Sequence, residues 1–397
     1  MRWLSIDFTD LPWHLPLLEW EGYANRLEQV AQGLSRHPVV FANYSGVLYA
    51  LKELPGDLAR HEYEMLLHAE KLHLPVVTAV GYVRTHTHQG HNSVLVTRYL
   101  EGALPYRLLL MRQGFEPYRK HLLDAISGLL VQLHLAGVYW GDCSLSNTLF
   151  RRDAGALRAY LVDAETVELQ TGQTPPMLRY HDLEIMEENI NGELVDLRAA
   201  GVVSVEPGVP ASDTGVYIRQ RYRSLWEQVT REDVIPSNET YRIQERIRTL
   251  NEMGFSVGDV QLDPADNGSQ LRLRVIVTDR NFHRDQLYNL TGLDAEEQQA
   301  QKIMNEIYEV RATLSRQNNR STPLSVAAHH WLQQVYIPAV QLVEQQIGYL
   351  NTLPEAYCQI LEHKWYMSER YQRDVGHYAA AEDYLQNVWQ PTRTQLK

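Results

Sequence analysis

At 397 residues the chain is too long for one ordinary core, so two or three domains are expected. Hydrophobic residues make up 44% and charged residues 22%, the balance of a water-soluble globular protein. Net charge is −12, with no basic stripe of the kind a general nucleic-acid binder presents, so no nucleic-acid partner is expected.

The longest apolar run, Ala125 to Trp140, is interrupted by Gln132 and His134. It is too short for a bilayer, and no membrane insertion is expected. Met1–Asp10 mixes apolar and acidic residues, unlike a charged-then-apolar leader. Cys143 and Cys358 do not make a disulfide framework, which fits a reducing compartment. The expectation is a cytoplasmic protein.

Strand signals come first: "PVVFANYSG", "VLYALKEL", "LPVVTAVGYV" and "NSVLVTRYLEG" within residues 30–104. One helix interrupts them, from about Asp57, a good N-cap residue, to Leu72. Residues 105–230 read as mostly helical, with short strands near Thr148–Phe150 and Ala159–Val162. "EDVIPSNET" marks a break. A helix over Tyr241–Met253 and strands in "FSVGDVQLD" and "QLRLRVIVTD" follow, then long helices near 294–317, 325–350 and 353–371. The boundaries expected are 1–104, 105–235 and 236–397.

The chemistry concentrates in "VYWGDCSLSNTLF". Asp142 and Asn147 alone suit an ordinary turn, because both side chains bond nearby backbone. Sixteen residues later, however, "AYLVDAETVE" ends a second apolar strand in Asp163. One Asp to accept a hydroxyl proton, with an Asn and a second Asp as hard oxygen ligands for Mg²⁺, is the set that phosphoryl transfer from ATP needs. The same template wants a strand Lys paired to a helix Glu. "VLYALKEL" supplies Lys52, and the next helix offers Glu62 and Glu64. Glu62 is preferred because Leu66 lies one turn later on the inward face.

In this ordered set the chain resembles the protein-kinase-like superfamily. It is most similar to the bacterial lipopolysaccharide-kinase and aminoglycoside/choline-phosphotransferase branches, whose stretches read H-G-D-x-x-x-x-N and I-D-x-E. Here they read "WGDCSLSN" and "VDAE", with Trp140 in place of the His. The resemblance covers roughly residues 25–230. It implies an α+β, bilobal fold with a β-rich N-lobe and a helical C-lobe, extended here by a C-terminal α+β and helical domain. It also implies Asp142 as catalytic base, Asn147 and Asp163 as Mg²⁺ ligands, Lys52 on the phosphates and Glu62 as its anchor. Thr97, Tyr99 and Glu101 fall in the hinge that would meet adenine through its backbone. The whole chain is also similar to bacterial proteins carrying the domain of unknown function catalogued as 4032, with segments like "LEHKWYMSE".

The chain departs from the pattern in having no G-x-G-x-x-G. The nucleotide-covering turn would be "AQGLSRH", where Gly33, Ser35 and Arg36 could supply donors to phosphate. Ala164 follows Asp163 where a protein kinase has Phe-Gly, and no A-P-E follows.

Four other stretches have bland readings. His86, His88 and His91 read as a polar hairpin before a metal site, with His86 and His88 on one strand face. The six acids of "HDLEIMEENINGELVD" read as a solvated helix face, or more sharply as a wall selecting a basic substrate. Cys143 reads as a small filler beside Asp142. Trp365 and Tyr366 share a helix face with Glu362 and Glu369, and read as core before interface. Two functions stay open: an ATP- and Mg²⁺-dependent phosphotransferase with an unidentified hydroxyl acceptor, or a degenerate kinase-like nucleotide sensor or scaffold working through its C-terminal helices.

Overall fold

The computed structural model describes residues 7–30, 36–88, 90–113, 115–154, 156–199, 212–231, 233–236, 259–265, 270–276, 282–317, 320–347 and 353–388. The chain forms two compact units, Met1–Arg151 with Leu157–Arg231, and Arg152–Ala156 with Glu232–Lys397.

The first unit opens with an antiparallel sheet. Its strands are β1 (Leu27–Glu28), β2 (Val39–Tyr44), β3 (Val47–Pro55), β4 (Ala79–Thr87) and β5 (Gly90–Arg98), in the order β1-β2-β3-β5-β4. Ser45 and Gly46 join β2 to β3 with φ of 55° and 82°, the left-handed pair that a tight hairpin turn needs. In this register Lys52 stands opposite Val39 on one side and Leu95 on the other, at the middle of the sheet. Tyr49, Leu51, Val94 and Val96 pack with Leu17 and Trp20 of the preceding segment. Helix α1 (Leu58–Lys71) lies on β3, β4 and β5. Its buried residues are Ala59, Glu62, Leu66 and Ala69, a helical stripe of three apolar side chains and one acid.

The rest of this unit is mainly helical: α2 (Tyr106–Gln113), α3 (Phe115–Leu135), α4 (Pro176–Ala199) and α5 (Ser212–Thr230). Short strands lie between α3 and α4. β7 (Val138–Tyr139) pairs with β10 (Glu168–Leu169). β8 (Thr148–Asp153) lies between β6 (Leu104–Pro105) and β9 (Ala156–Leu161). This is the α+β, kinase-like arrangement expected, a sheet-rich half followed by a helix-rich half.

The second unit contains the antiparallel strands β11 (Asp233–Pro236), β13 (Gln270–Ile276) and β12 (Asp259–Ala265), in that order. The helix expected over Tyr241–Met253 lies outside the described residues. Helices Phe282–Thr291, Glu297–Gln317, Leu324–Trp331, Ile337–Ile347 and Leu353–Tyr371 follow. They close a core around Ile303, Met304, Ile307, Trp331, Tyr357 and Ile360. Buried Asp153 accepts the N–H groups of Gln298 and Gln299 and so caps the helix Glu297–Gln317.

The helix expected near 325–350 forms over Leu324–Trp331 and Ile337–Ile347, with a π-helical turn at Leu332–Tyr336 between them. Pro338 has no N–H to return to residue 334, so the ladder there is rearranged. One expectation in this unit needs correction, the core role of Trp365 and Tyr366. They are 58% and 55% exposed, because the helix turns Tyr357, Cys358 and Ile360 inward. No helix among the described residues is long and apolar enough to cross a membrane.

Candidate functional site

Lys52 lies between two carboxylates. Its Nζ is 3.1 and 3.2 Å from the Glu62 oxygens and 2.8 Å from Asp163 Oδ2. Glu62 is fully buried, and its Oε1 also accepts the Ala164 N–H at 3.2 Å. Burial pushes its carboxyl up to about 7, against the opposing pull of Lys52. Burial alone would lower the Lys52 pKa, but Glu62 and Asp163 outweigh it and the net shift is upward. Lys52 therefore stays an ammonium. The other acid considered, Glu64, faces water and pairs with Arg60 at 3.8 Å.

Asp142 and Asn147 occupy the loop between β7 and β8. Gly141 enters it with φ of 80°, and a Cβ there would stand 3.0 Å from the Thr166 carbonyl oxygen. Only glycine suits that position. The Asn147 Nδ2 donates to the Asp142 backbone oxygen at 3.0 Å and to Asp142 Oδ2 at 3.2 Å. The Asn147 carbonyl accepts the Val162 N–H at 3.1 Å, which ties the loop to the strand that delivers Asp163. Asp163 Oδ1 takes the Glu165 N–H at 3.2 Å. Trp140, fully buried, donates its indole N–H to the Asp163 carbonyl at 3.2 Å. It thus fills the place of the expected His and still braces the loop. Cys143 is buried, as a filler would be, and burial raises its thiol pKa.

The oxygens available suit Mg²⁺. An Asn amide oxygen and a carboxylate are hard donors, and Mg²⁺ commonly takes only one or two protein ligands beside phosphate oxygens. Among the described residues no group of three or more His, Cys, Asp or Glu side chains forms a separate metal site.

The acidic stretch is neither a uniformly solvated face nor an open wall. Glu184, Glu188 and Asp196 face water, but Asp182 is fully buried. Its carboxylate accepts the N–H groups of Trp140 at 2.9 Å and Gly141 at 2.8 Å, and meets His134 Nε2 at 3.0 Å. Two turns on, Asn189 donates to the Cys143 carbonyl at 2.9 Å. One turn further, Glu193 accepts the N–H groups of Leu145 at 3.1 Å and Ser146 at 2.8 Å, and the Ser146 hydroxyl. Burial raises the Glu193 pKa. Positions 182, 189 and 193 share one helical face, so α4 holds the loop at three points. The only sequence signal was that spacing.

Arg36 and His37, at the end of the turn expected to cover a nucleotide, reach two carboxylates. Arg36 Nη2 stands 2.5 Å from Asp142 Oδ2, and His37 Nε2 stands 3.4 Å from Glu165 Oε2. Gly33 and Ser35 lie outside the described residues. In the segment expected as the hinge, Thr97 pairs with Ala50 and Ala79, one residue before β5 ends at Arg98. The Tyr99 N–H is donated to the Leu48 carbonyl at 2.9 Å. Glu101 lies exposed in the following turn. His86 faces His91 across the hairpin, with Nδ1 atoms 3.0 Å apart. His88 instead meets Glu19 at 3.2 Å, so the three histidines do not converge.

With this geometry in place, residues 47–203 match the model of the lipopolysaccharide kinase (Kdo/WaaP) family. Residues 224–389 match the domain of unknown function DUF4032. No curated protein matches the chain. Among solved structures, one described as WaaP in complex with acyl carrier protein is 16% identical, covers 58% of this chain and 89% of its own, and has a TM-score of 0.35. The Kdo/WaaP family match supports a kinase-like phosphotransferase.

Proposed function

We propose that the first unit binds Mg·ATP and transfers the γ-phosphoryl group to a hydroxyl of an acceptor. The observation that carries this reading is Lys52 held at once by Glu62 and Asp163, at 3.1 and 2.8 Å. A buried acid fixes the ammonium, and a second acid beside it is left to share a cation.

On this reading Lys52 meets the α- and β-phosphates, where its charge offsets theirs. Asn147 and Asp163 would hold Mg²⁺, which would supply positive charge against the phosphate oxygens. Asp142 orients the acceptor hydroxyl and takes its proton as the oxygen bonds to the γ-phosphorus. The bond to the β–γ bridging oxygen breaks, and ADP leaves with the electron pair. The chain's contribution is placement and charge, so the rigid support of Trp140, Gly141 and Ser146 by α4 is part of the machinery.

Calorimetric titration with ATP, with and without Mg²⁺, tests the reading beside Asp163→Ala. Magnesium-dependent binding that the substitution removes is expected. A folded wild type that binds no nucleotide would instead favour a degenerate fold working through protein contacts.

A further inference from the structure

The contact between Arg36 and Asp142 has no place in the reaction as drawn so far. The guanidinium lies 2.5 Å from Oδ2, the oxygen that also takes the Asn147 amide at 3.2 Å. A hydroxyl delivering its proton to Asp142 must come within about 2.6–3.2 Å of that carboxylate. Arg36 Nη2 therefore occupies an approach to Oδ2 that an acceptor oxygen could use. In a reactive complex that oxygen is about 3–3.5 Å from the γ-phosphorus, so a γ-phosphate served by this approach would come within reach of the guanidinium.

The geometry points to Arg36 as a γ-phosphate ligand that covers Asp142 until ATP arrives. This deepens the phosphotransfer reading and rests on it. The exchange follows from the exposure of this pair and the chemistry of the γ-phosphate. The Arg36 side chain is 75% exposed, so its pairing with Asp142 is solvated and weakly held. A γ-phosphate offers more charge and a fork-shaped pair of acceptors, which a guanidinium prefers. Meanwhile His37 and Glu165, 22% and 25% exposed, hold the root of the segment beside the site while Arg36 turns. ADP lacks the group that draws Arg36 away, so it leaves Asp142 covered. Only the triphosphate uncovers the base.

The experiment compares ATP and ADP affinity, both with Mg²⁺, by calorimetry in wild type, Arg36→Ala and Arg36→Lys. Expected is a loss of about tenfold for ATP in Arg36→Ala, with ADP changed less than twofold, and an intermediate loss for Arg36→Lys. Arg36 is on the surface, and a thermal melt confirms that each variant is folded. Equal weakening of ATP and ADP would overturn the assignment, since a general charge effect does not see the γ-phosphate. Unchanged affinity for both would overturn it as well. Either result leaves the phosphotransfer reading in place, because wild type still binds. Failure of the wild type to bind either nucleotide would remove that reading and this contact together.

Discussion

Asp182 has no exposed surface and accepts the backbone N–H of Gly141 at 2.8 Å, one residue before Asp142. The same carboxylate takes Trp140 and His134. Removing it leaves two amides and an imidazole N–H without partners in the interior. Each unmatched group costs about 1–3 kcal/mol, and breaking a buried charged contact typically costs about 3–5 kcal/mol. Asp182→Ala is therefore expected to lose about 3–5 kcal/mol in urea unfolding. Glu184→Ala, on the wet side of the same helix, should change it by less than about 0.5 kcal/mol. Similar values for both would remove Asp182 as the brace of the loop.

The buried partner of Asp182 gives a pH dependence of known sign. Burial lowers the His134 pKa, with Arg179 acting the same way and Asp182 opposing. The ring is neutral at pH 7, with Nε2–H donating to Asp182 and Nδ1 accepting from the Tyr222 hydroxyl at 2.8 Å. Unfolding frees the ring to return to its ordinary value near 6.5. Between the depressed folded pKa and 6.5 the unfolded chain holds more protons, so stability rises with pH there. The contribution is complete above about 6.5 and is lost as pH falls toward the folded value. His134→Gln should flatten that acid limb in urea melts taken from pH 5 to 7.5. An unchanged slope would mean that another group sets it.

What was legible in the sequence follows from which physical patterns survive in one dimension. Lys52 and Glu62 were readable because a strand alternates and a helix repeats, and Leu66 marked which acid faced inward. Asp182 and Glu193 were hidden for the opposite reason. The buried face of α4 carries Asp182 beside Leu183, Met186 and Ile190, so polar and apolar residues share it and the stripe is blurred. A count of acids cannot say which of them meets a loop some forty residues earlier in the chain. Likewise "LEHKWYMSE" shows aromatic spacing but not which side of the helix finds a partner. Tyr357 and Ile360 win the interior, and Trp365 and Tyr366 are left outside. Arg36 could be named as a phosphate donor from its turn, yet its contact with Asp142 spans 106 positions and no local pattern announces it.

The choice between the two acids of α1 can be tested directly. Glu62→Gln keeps the shape and removes the charge that fixes Lys52, whereas Glu64→Gln only touches an exposed pair with Arg60. Hydrogen bonds to charged groups contribute about 1.5–3 kcal/mol, so Glu62→Gln should weaken Mg·ATP binding by roughly tenfold or more. Glu64→Gln should stay within about twofold, as exposed ion pairs contribute little. Calorimetry reads both. A larger loss in Glu64→Gln would mean that Lys52 is held differently when nucleotide binds.

The role given to Asp142 separates binding from chemistry. A base acts as the proton leaves the acceptor, so it adds nothing to ground-state capture of ATP. Its removal from a reaction of this kind typically lowers the rate by about 10²–10⁴-fold. Asp142→Asn should therefore cut Mg²⁺-dependent ATP turnover, measured as ADP formed while the phosphoryl group passes to water or to an added acceptor, by that order. ATP affinity should be equal or tighter, because the neutral amide no longer pairs with Arg36 as an ion. If affinity and turnover fall together, Asp142 shapes the nucleotide site and is not the base. If turnover persists, the proton goes to another group, and Glu165, which meets His37 at 3.4 Å, is the next carboxylate to replace.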